Sequence, residues 1–375
     1  MGWGDAVMDA KREFVRLAST EGANVRELCR RFHVSPTTAY ALLARAEGSD
    51  GEQWLQERSR RPLTSPTRTD SEMEKRVLEL RDETHWGARK IAHVLRKRGY
   101  DNAPPRSTVH SILQRHGRID GEQSGQTHQW HRFEHPEPND LWQMDFKGRF
   151  PTGTAACHAL TVLDDHSRYS IALRACANET TETVQSELER AFDRYGLPWR
   201  MTMDNGAPWG YDGSDRLTRL TVWLIRIGVR VSHSRPYHPQ TQGKDERFHQ
   251  TLDYELLRYV CYRDIAETQR GFDRWRDRYN FERPHESLDL ATPAERYRPS
   301  ARSMPTTLPS IEYDPSDIVC RVDPWGRIRF RGRKIPTAKG CAGLPVAVRR
   351  TTTEDVFDVF FCHQRIASFD LRDSE

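Results

Sequence analysis

Apolar positions recur at helical spacing through roughly the first third of the chain and at strand spacing beyond it. The opening stretch AVMDAKREFVRLAS places Val7, Phe14, Leu17 and Ala18 on one stripe, and Val25, Leu28, Cys29 and Phe32 form a second. In HVSPTTAYALLARA, Ser35 is an N-cap and Pro36 takes the first helical position, where its missing N–H costs nothing. Val34, just before the cap, would pack between the helices. Three short helices with a tight turn before the last predict a helix-turn-helix domain over 1–48, whose final helix enters the major groove. Thr37, Thr38 and Tyr40 would then lie near bases or phosphates. The pattern recurs over 70–118, where Ile91, Val94 and Leu95 make one buried stripe and Val109, Ile112 and Leu113 another. The polar sides carry Arg89, Lys90, Arg96, Lys97 and Arg98, and Arg106 opens the third helix. For the first unit the alternative is a plain three-helix bundle with no nucleic-acid role. Between them, 49–69 is polar and rich in turn formers, with Arg60 and Arg61 among its cations. It would be a passive tether or a segment that tracks phosphates.

From residue 134 the texture changes. LWQMDFKGRF and HALTVLDDHSRYSIALRA read as a β-meander, followed by alternating helix and strand: TTETVQSELERAFDRYG, WRMTMDNG, SDRLTRLTVWLIRIG and VRVSHS. A long helical region from GKDERFHQTLDYELLRY through GFDRWRDRYN closes this α/β segment, placed at 134–298. The stretch 310–373 is rich in β formers, with a hairpin expected around Pro324-Trp325-Gly326 and a small β-barrel-like domain overall.

Composition narrows the setting. Of the 375 residues, 36% are hydrophobic and 30% charged, and no apolar run approaches the ~20 residues of a membrane span. Seven scattered cysteines without a CxxC pair make a poor disulfide framework and do not imply zinc, so a reduced cytoplasmic setting is expected. The net charge of +4 is unevenly spread. Residues 85–118 hold eight Lys or Arg against one acid, and 321–350 hold nine against one. Such stretches favour a polyanion through phosphate contacts, although a solvated basic face would look the same.

Three acids in the middle segment carry the candidate chemistry. Asp145 interrupts the apolar strand Leu141-Trp142-Gln143-Met144-Asp145-Phe146, where an unpaired carboxylate costs several kcal/mol, roughly, unless a cation or partner satisfies it. Asp204 ends the strand WRMTMDNG, and Glu246 comes early in a helix after the loop HPQTQG. Carboxylates suit Mg²⁺ or Mn²⁺, and two such ions can activate a nucleophile and stabilise a leaving oxygen. Taken singly, Asp145 could pair with a buried Arg, Asp204 could be a turn residue and Glu246 could cap a helix.

The runs WQMDF, MDNG and HPQTQGKDERFHQTL resemble the three signature blocks of integrase-like DDE transposases and retroviral integrases. The tail YNFERPHESLDLATPAERY resembles the segment after the core in bacterial insertion-sequence transposases. The likeness covers about 134–297 and implies a multidomain chain: all-α helix-turn-helix domains, an α/β RNase H-like integrase core, then a small all-β C-terminal domain. It assigns the acids of the family to Asp145, Asp204 and Glu246, with two Mg²⁺ or Mn²⁺ ions as cofactors. Asp145 would lie on the first strand, Asp204 just after the fourth and Glu246 on a helix beside them.

The implied activity is that of a transposase: hydrolysis at the 3′ ends of a mobile element, then attack of the 3′-hydroxyls on target DNA. The implied partner is double-stranded DNA, as terminal inverted repeats and as target, bound by a homo-oligomer assembled on it, with no membrane and a nucleoid-associated location. A DNA-binding regulator and a nuclease of the same fold that cuts without joining are the alternatives.

Between Asp204 and Glu246 lie 41 residues (246 − 204 = 42), against the family's more usual thirty-five or so. The surplus is placed in WGYDGSDR, which would leave the chemistry intact. Asp245 is a neighbouring decoy, because adjacent helical residues point ~100° apart. Asp164 and Asp165 are read as turn residues. Asn205 would orient Asp204, and His238, Gln240 and Gln242 would touch DNA near the scissile phosphate. Lys244, Arg247 and His249 would contact phosphates or be ordinary surface charge, and Arg283-Pro284-His285 is read as structural or strand-contacting.

Overall fold

A computed structural model of the chain describes residues 7–48, 51–55, 68–119, 134–210, 217–233 and 243–373. It falls into two units, Met1–Arg68 and Thr69–Glu375.

In the first unit, α1 (Val7–Ala18), α2 (Val25–Arg31) and α3 (Pro36–Glu47) close around Phe14, Cys29, Ala39 and Leu42. Phe32 meets Phe14 edge-to-face at 5.4 Å, and Val34 packs beside them. The Ser35 hydroxyl accepts from the Thr38 N–H at 3.2 Å with Pro36 next to it, so α3 begins at the expected cap.

The second unit opens with α4 (Ser71–Thr84), α5 (Ala88–Lys97) and α6 (Arg106–Arg115), packed on Val77, Trp86, Ile91, Leu95, Val109 and Leu113. Glu74 is buried in this bundle and pairs with Arg115 at 2.5 Å, which ties α4 to α6.

A five-stranded sheet follows, built from β1 (Trp142–Pro151), β2 (Ala156–Asp164), β3 (Ser170–Cys176), β4 (Arg200–Met203) and β5 (Arg230–His233). Its order is β3-β2-β1-β4-β5, with the first three antiparallel and β4 and β5 parallel to β1. Strand side chains alternate between faces, so Trp142 and Met144 point to one side and Gln143 and Asp145 to the other. The first face is covered by α7 (Thr181–Tyr195) and α8 (Arg219–Arg226), through Val184, Leu188, Phe192, Leu220 and Leu224. On the second face lie α9 (Gly243–Leu252) and α10 (Ile265–Phe281), through Phe248, Leu252, Phe272, Trp275 and Tyr279. The long helical region expected from sequence is interrupted: a π turn spans Asp253–Leu257, and α10 restarts where Asp264 caps it, accepting from the Glu267 N–H at 2.7 Å. Gly271 permits the close pass of this connection, because a Cβ there would strike the Tyr262 ring.

The C-terminal region is all β. Strands β6 (Ile318–Arg321), β9 (Pro345–Arg350), β10 (Val356–Phe361) and β11 (Gln364–Asp370) form a sheet in the order β11-β10-β9-β6. β7 (Arg327–Phe330) and β8 (Arg333–Pro336) form a separate hairpin.

Two expectations are corrected here. Among the described residues the ladders do not close into a barrel, because β6 and β11 remain edges of the sheet. The hairpin turns at Arg331-Gly332, both at positive φ, and not at Pro324-Trp325-Gly326. The latter turn instead carries the chain from one sheet to the other. Gly326 is required there, since a Cβ would lie 2.6 Å from the Lys339 amide nitrogen.

Val322, Ile328, Phe330, Phe357 and Phe361 belong to the same continuous apolar core as Trp142, Phe192 and Trp223. At the edge of the five-stranded sheet, the Gln364 amide accepts from the Val231 N–H at 2.8 Å and donates to its carbonyl at 3.0 Å. The side chain thus mimics one residue of a sixth strand.

Candidate active site

Parallel pairing of β1 with β4 aligns Gln143 with Thr202. Two residues further along stand Asp145 on β1 and Asp204 just past the end of β4, close enough for the charge of Asp204 to act on Asp145. Asp145 is held above the usual carboxylate range, at about 7, first by burial and then by the negative charge of Asp204. Its Oδ1 accepts from the Phe146 N–H at 2.8 Å, which acts in the opposite direction.

Asp204 is oriented by neighbours that follow it in sequence. Its Oδ1 accepts from the Gly206 N–H at 2.9 Å and from the Trp209 indole N–H. A Cβ on Gly206 would lie 3.1 Å from the carboxylate, so the glycine of MDNG lets the backbone approach. Trp209 is buried and stacks on Phe146 at 5.2 Å, joining the Asp204 loop to the strand that carries Asp145. The sequence reading missed this residue and treated the stretch it begins as passive surplus. An indole five residues beyond the acid was the available signal. His233 donates through Nδ1 to the Asp204 carbonyl at 2.8 Å, whereas Asn205 is exposed.

Helix α9 meets the sheet at several polar points. Lys244 donates to Asp165 Oδ1 at 2.5 Å and to its carbonyl at 3.2 Å. Asp165 is only 1% exposed and also accepts from Gln143 Nε2 at 2.8 Å and the His135 N–H at 2.9 Å. It is more than the turn residue expected; Asp164 does serve the turn, accepting from the Ser167 N–H and hydroxyl.

One turn along α9, His249 Nε2 lies 2.8 Å from the Thr161 hydroxyl, whose proton goes to the Asp145 carbonyl at 3.0 Å. The hydroxyl has no second proton to give, so Nε2 is the donor and Nδ1 presents a lone pair 3.9 Å from Asp145 Oδ2. Burial holds this imidazole neutral, pulling it down to about 4.

The two adjacent acids of α9 differ sharply. Asp245 is fully buried, and neither carboxylate oxygen has a hydrogen-bond partner among the described residues. Burial, then Asp145, then Asp165 raise it well above the ordinary range. Glu246 lies on the exposed side of the helix and accepts from Gln250 at 3.4 Å.

The described residues contain no set of three His, Cys, Asp or Glu grouped to hold an ion. What they do contain fits a divalent cation in chemistry: hard oxygen donors at Asp145 and Asp204, mutually repelling, with the orphaned oxygens of Asp245 in the same negative field.

The remaining candidates are scattered. Thr37, Thr38 and Tyr40 are exposed on α3, and Arg106 is exposed at the start of α6. Arg89 pairs with Glu286 at 3.6 Å. Lys90 is half-buried against Arg283, Glu255 and Glu286, and burial is the main cause of its descent to about 7. Both thus face the tail of the α/β segment. Lys244 is engaged by Asp165, while Arg247 is exposed beside Gln250. Arg283 forms a buried pair with Glu255 at 2.8 Å and His285 packs edge-on against Tyr279, a structural arrangement. Arg60, Arg61, His238, Gln240 and Gln242 lie outside the described residues.

Comparison with known proteins finds four matching family models. An integrase core domain matches residues 135–239, and a second integrase core model matches 227–293. A homeodomain-like domain matches 38–113, and the C-terminal domain of IS481 family transposases matches 317–375. The chain is 26% identical over 158 residues to the insertion element IS476 uncharacterized 39.2 kDa protein of Xanthomonas euvesicatoria, covering 42% of this chain and 44% of that protein. It is 24% identical over 158 residues to the insertion element IS407 uncharacterized 31.7 kDa protein of Burkholderia multivorans, covering 42% and 55%. The chain thus spans about half the length of these relatives.

Among solved structures, a simian T-cell lymphotropic virus intasome chain aligns with a TM-score of 0.38 at 16% identity, covering 79% of this chain and all of that one. The HTLV-2 integrase catalytic core domain in complex with magnesium aligns with a TM-score of 0.34 at 15% identity, covering 43% and 97%. The chain thus resembles insertion-sequence transposases in its order of parts, with an integrase core match at its centre, a homeodomain-like match ahead and a match to the C-terminal domain of IS481 family transposases behind.

Proposed function

We propose that the chain is a DDE transposase that binds the ends of a mobile element, hydrolyses the DNA at their 3′ termini and joins the 3′-hydroxyls to target DNA. Asp145, Asp204 and Glu246 would hold two Mg²⁺ or Mn²⁺ ions. The observation that carries this reading is the nearness of Asp145 to Asp204 at adjacent parallel strands, where burial and the charge of Asp204 make the Asp145 carboxylate costly until a cation neutralises it. Bound divalent ions would supply activation of the attacking oxygen and stabilisation of the leaving one.

The chain's own residues do the positioning. The Gly206 N–H and the Trp209 indole fix one oxygen of Asp204, and the Thr161–His249 contact holds the strand at Asp145. Glu246 is proposed as the third acid on its place in the HPQTQGKDERFHQTL block. The helix-turn-helix regions would bind double-stranded element ends, and joining two ends calls for an oligomer on DNA. Cytoplasmic action at the nucleoid follows from this substrate. No described helix is long and apolar enough to cross a membrane.

The test is Mg²⁺- or Mn²⁺-dependent nicking and joining of a labelled element-end duplex by wild type, Glu246→Gln and Asp245→Asn. Joined product from wild type and Asp245→Asn but not from Glu246→Gln is expected. The reverse pattern would move the third ligand to Asp245. Nicking without joining would leave a nuclease, and binding without either reaction a regulator.

A further inference from the structure

Lys244 reads from sequence as a phosphate contact or ordinary surface charge, yet its ammonium is spent inside the protein. Its side chain is 17% exposed and that of Asp165 is 1% exposed, with the two charged groups 2.5 Å apart. Asp165 is fully engaged by Gln143 Nε2, the His135 N–H and Lys244, so the ammonium completes its shell. A buried pair of this kind adds little net stability, but removing one member is costly and its geometry is specific.

The position of the pair is what matters. Lys244 sits in the first turn of α9, and Asp165 follows directly on β2, with its N–H bonded to the Leu141 carbonyl just ahead of β1. An ion pair at its first turn, together with buried Phe248 and Leu252 further along, restrains the helix from rotating about its axis. Successive residues differ by ~100° around that axis, so the rotation decides what each side chain faces. In the observed rotation Asp245 is buried near Asp145, Glu246 is exposed, and His249 reaches Thr161.

We propose that Lys244 is a positioning residue: its ion pair with Asp165 sets the rotation of α9 and so which of the adjacent acids Asp245 and Glu246 faces Asp145. The role in catalysis rests on the transposase reading; the anchoring itself does not.

The experiment uses the full chain as wild type, Lys244→Met, Asp165→Asn and the double variant. Amide hydrogen exchange over residues 243–252 is expected to quicken at least tenfold in each variant, with α7 unchanged. On an element-end duplex, kcat for nicking is expected to fall at least tenfold in both single variants, with KM for DNA unchanged and the double variant no slower than either. The salt slope of DNA binding should equal that of wild type.

Wild-type exchange over 243–252 in the variants overturns the anchor whatever the nicking assay gives. Faster exchange with unaltered kcat overturns the positioning role. A salt slope reduced by about 1 in Lys244→Met would make it a phosphate contact after all. If wild type itself never nicks DNA, the transposase reading fails and the exchange data alone decide the anchor. Asp165→Asn keeps the side-chain shape but only one acceptor oxygen, for either Gln143 Nε2 or the His135 N–H, so unchanged exchange over α7 is what guards against a variant that merely fails to fold.

Discussion

The two faces of the central sheet are built from the same strands on opposite terms. Against α7 and α8, the face of Trp142, Met144, Leu160 and Val162 is apolar and continues into the C-terminal sheets. Against α9 and α10, the face holds Asp145, Thr161, Lys244, Asp245 and His249, with Arg283, Glu255 and His285 beside them. Burial of charge opposes folding, and full burial of an apolar side chain contributes about 1.5–3 kcal/mol. The α7/α8 face is therefore apolar throughout, whereas the α9/α10 face sets an apolar cluster of Phe248, Leu252, Phe272 and Trp275 beside groups that water would hold more cheaply.

The largest effect that tests this contrast is a cavity in the dry face. Phe192→Ala should cost about 3–5 kcal/mol in urea unfolding while leaving nicking per folded molecule intact. A small loss of stability would mean that the dry face is not what supports the sheet. On the polar face the sign reverses. Asp245→Val removes a buried carboxylate whose oxygens lack partners, and should raise the stability of the metal-free chain by about 1–3 kcal/mol. A lower unfolding midpoint would show that the charge is compensated after all.

The smallest effect is a pH profile at Lys90, which burial and Arg283 hold at about 7. Between pH 7 and the ordinary lysine value, the unfolded chain keeps a proton that the folded chain sheds. Stability from this group therefore rises with pH across that window, and the cost of burying the charge is full below it. Lys90→Met should be stabilising at pH 7, with the advantage shrinking toward pH 10. A constant difference across the range would place the ammonium in water.

What the sequence disclosed was local. The Ser35-Pro36 cap, the alternation around Asp145 and the strand end at Asp204 each lie within a few residues of chain, and the structure has them where expected. What escaped depends on partners far apart in sequence. Asp164 and Asp165 are indistinguishable as turn residues until Lys244, 79 positions away, reaches only the second. Arg89 and Lys90 look like a basic helix face until Glu286 and Arg283 are placed against them. The hairpin around Trp325 failed for a nearer reason. Pro324 and Gly326 do mark a turn, but a turn residue does not say which strand the chain will pair with next.

Gln364 has a consequence for how the protein is made. Its amide occupies the outer edge of β5 at Val231, a position that otherwise presents open backbone groups for strand addition. Translation proceeds at about 5–20 residues per second, so residue 364 leaves the ribosome roughly 7–27 s after residue 231. During that interval the nascent sheet has an uncovered edge and its apolar face lacks the C-terminal sheets. A chain released before residue 364 would be prone to aggregate and unable to complete its core.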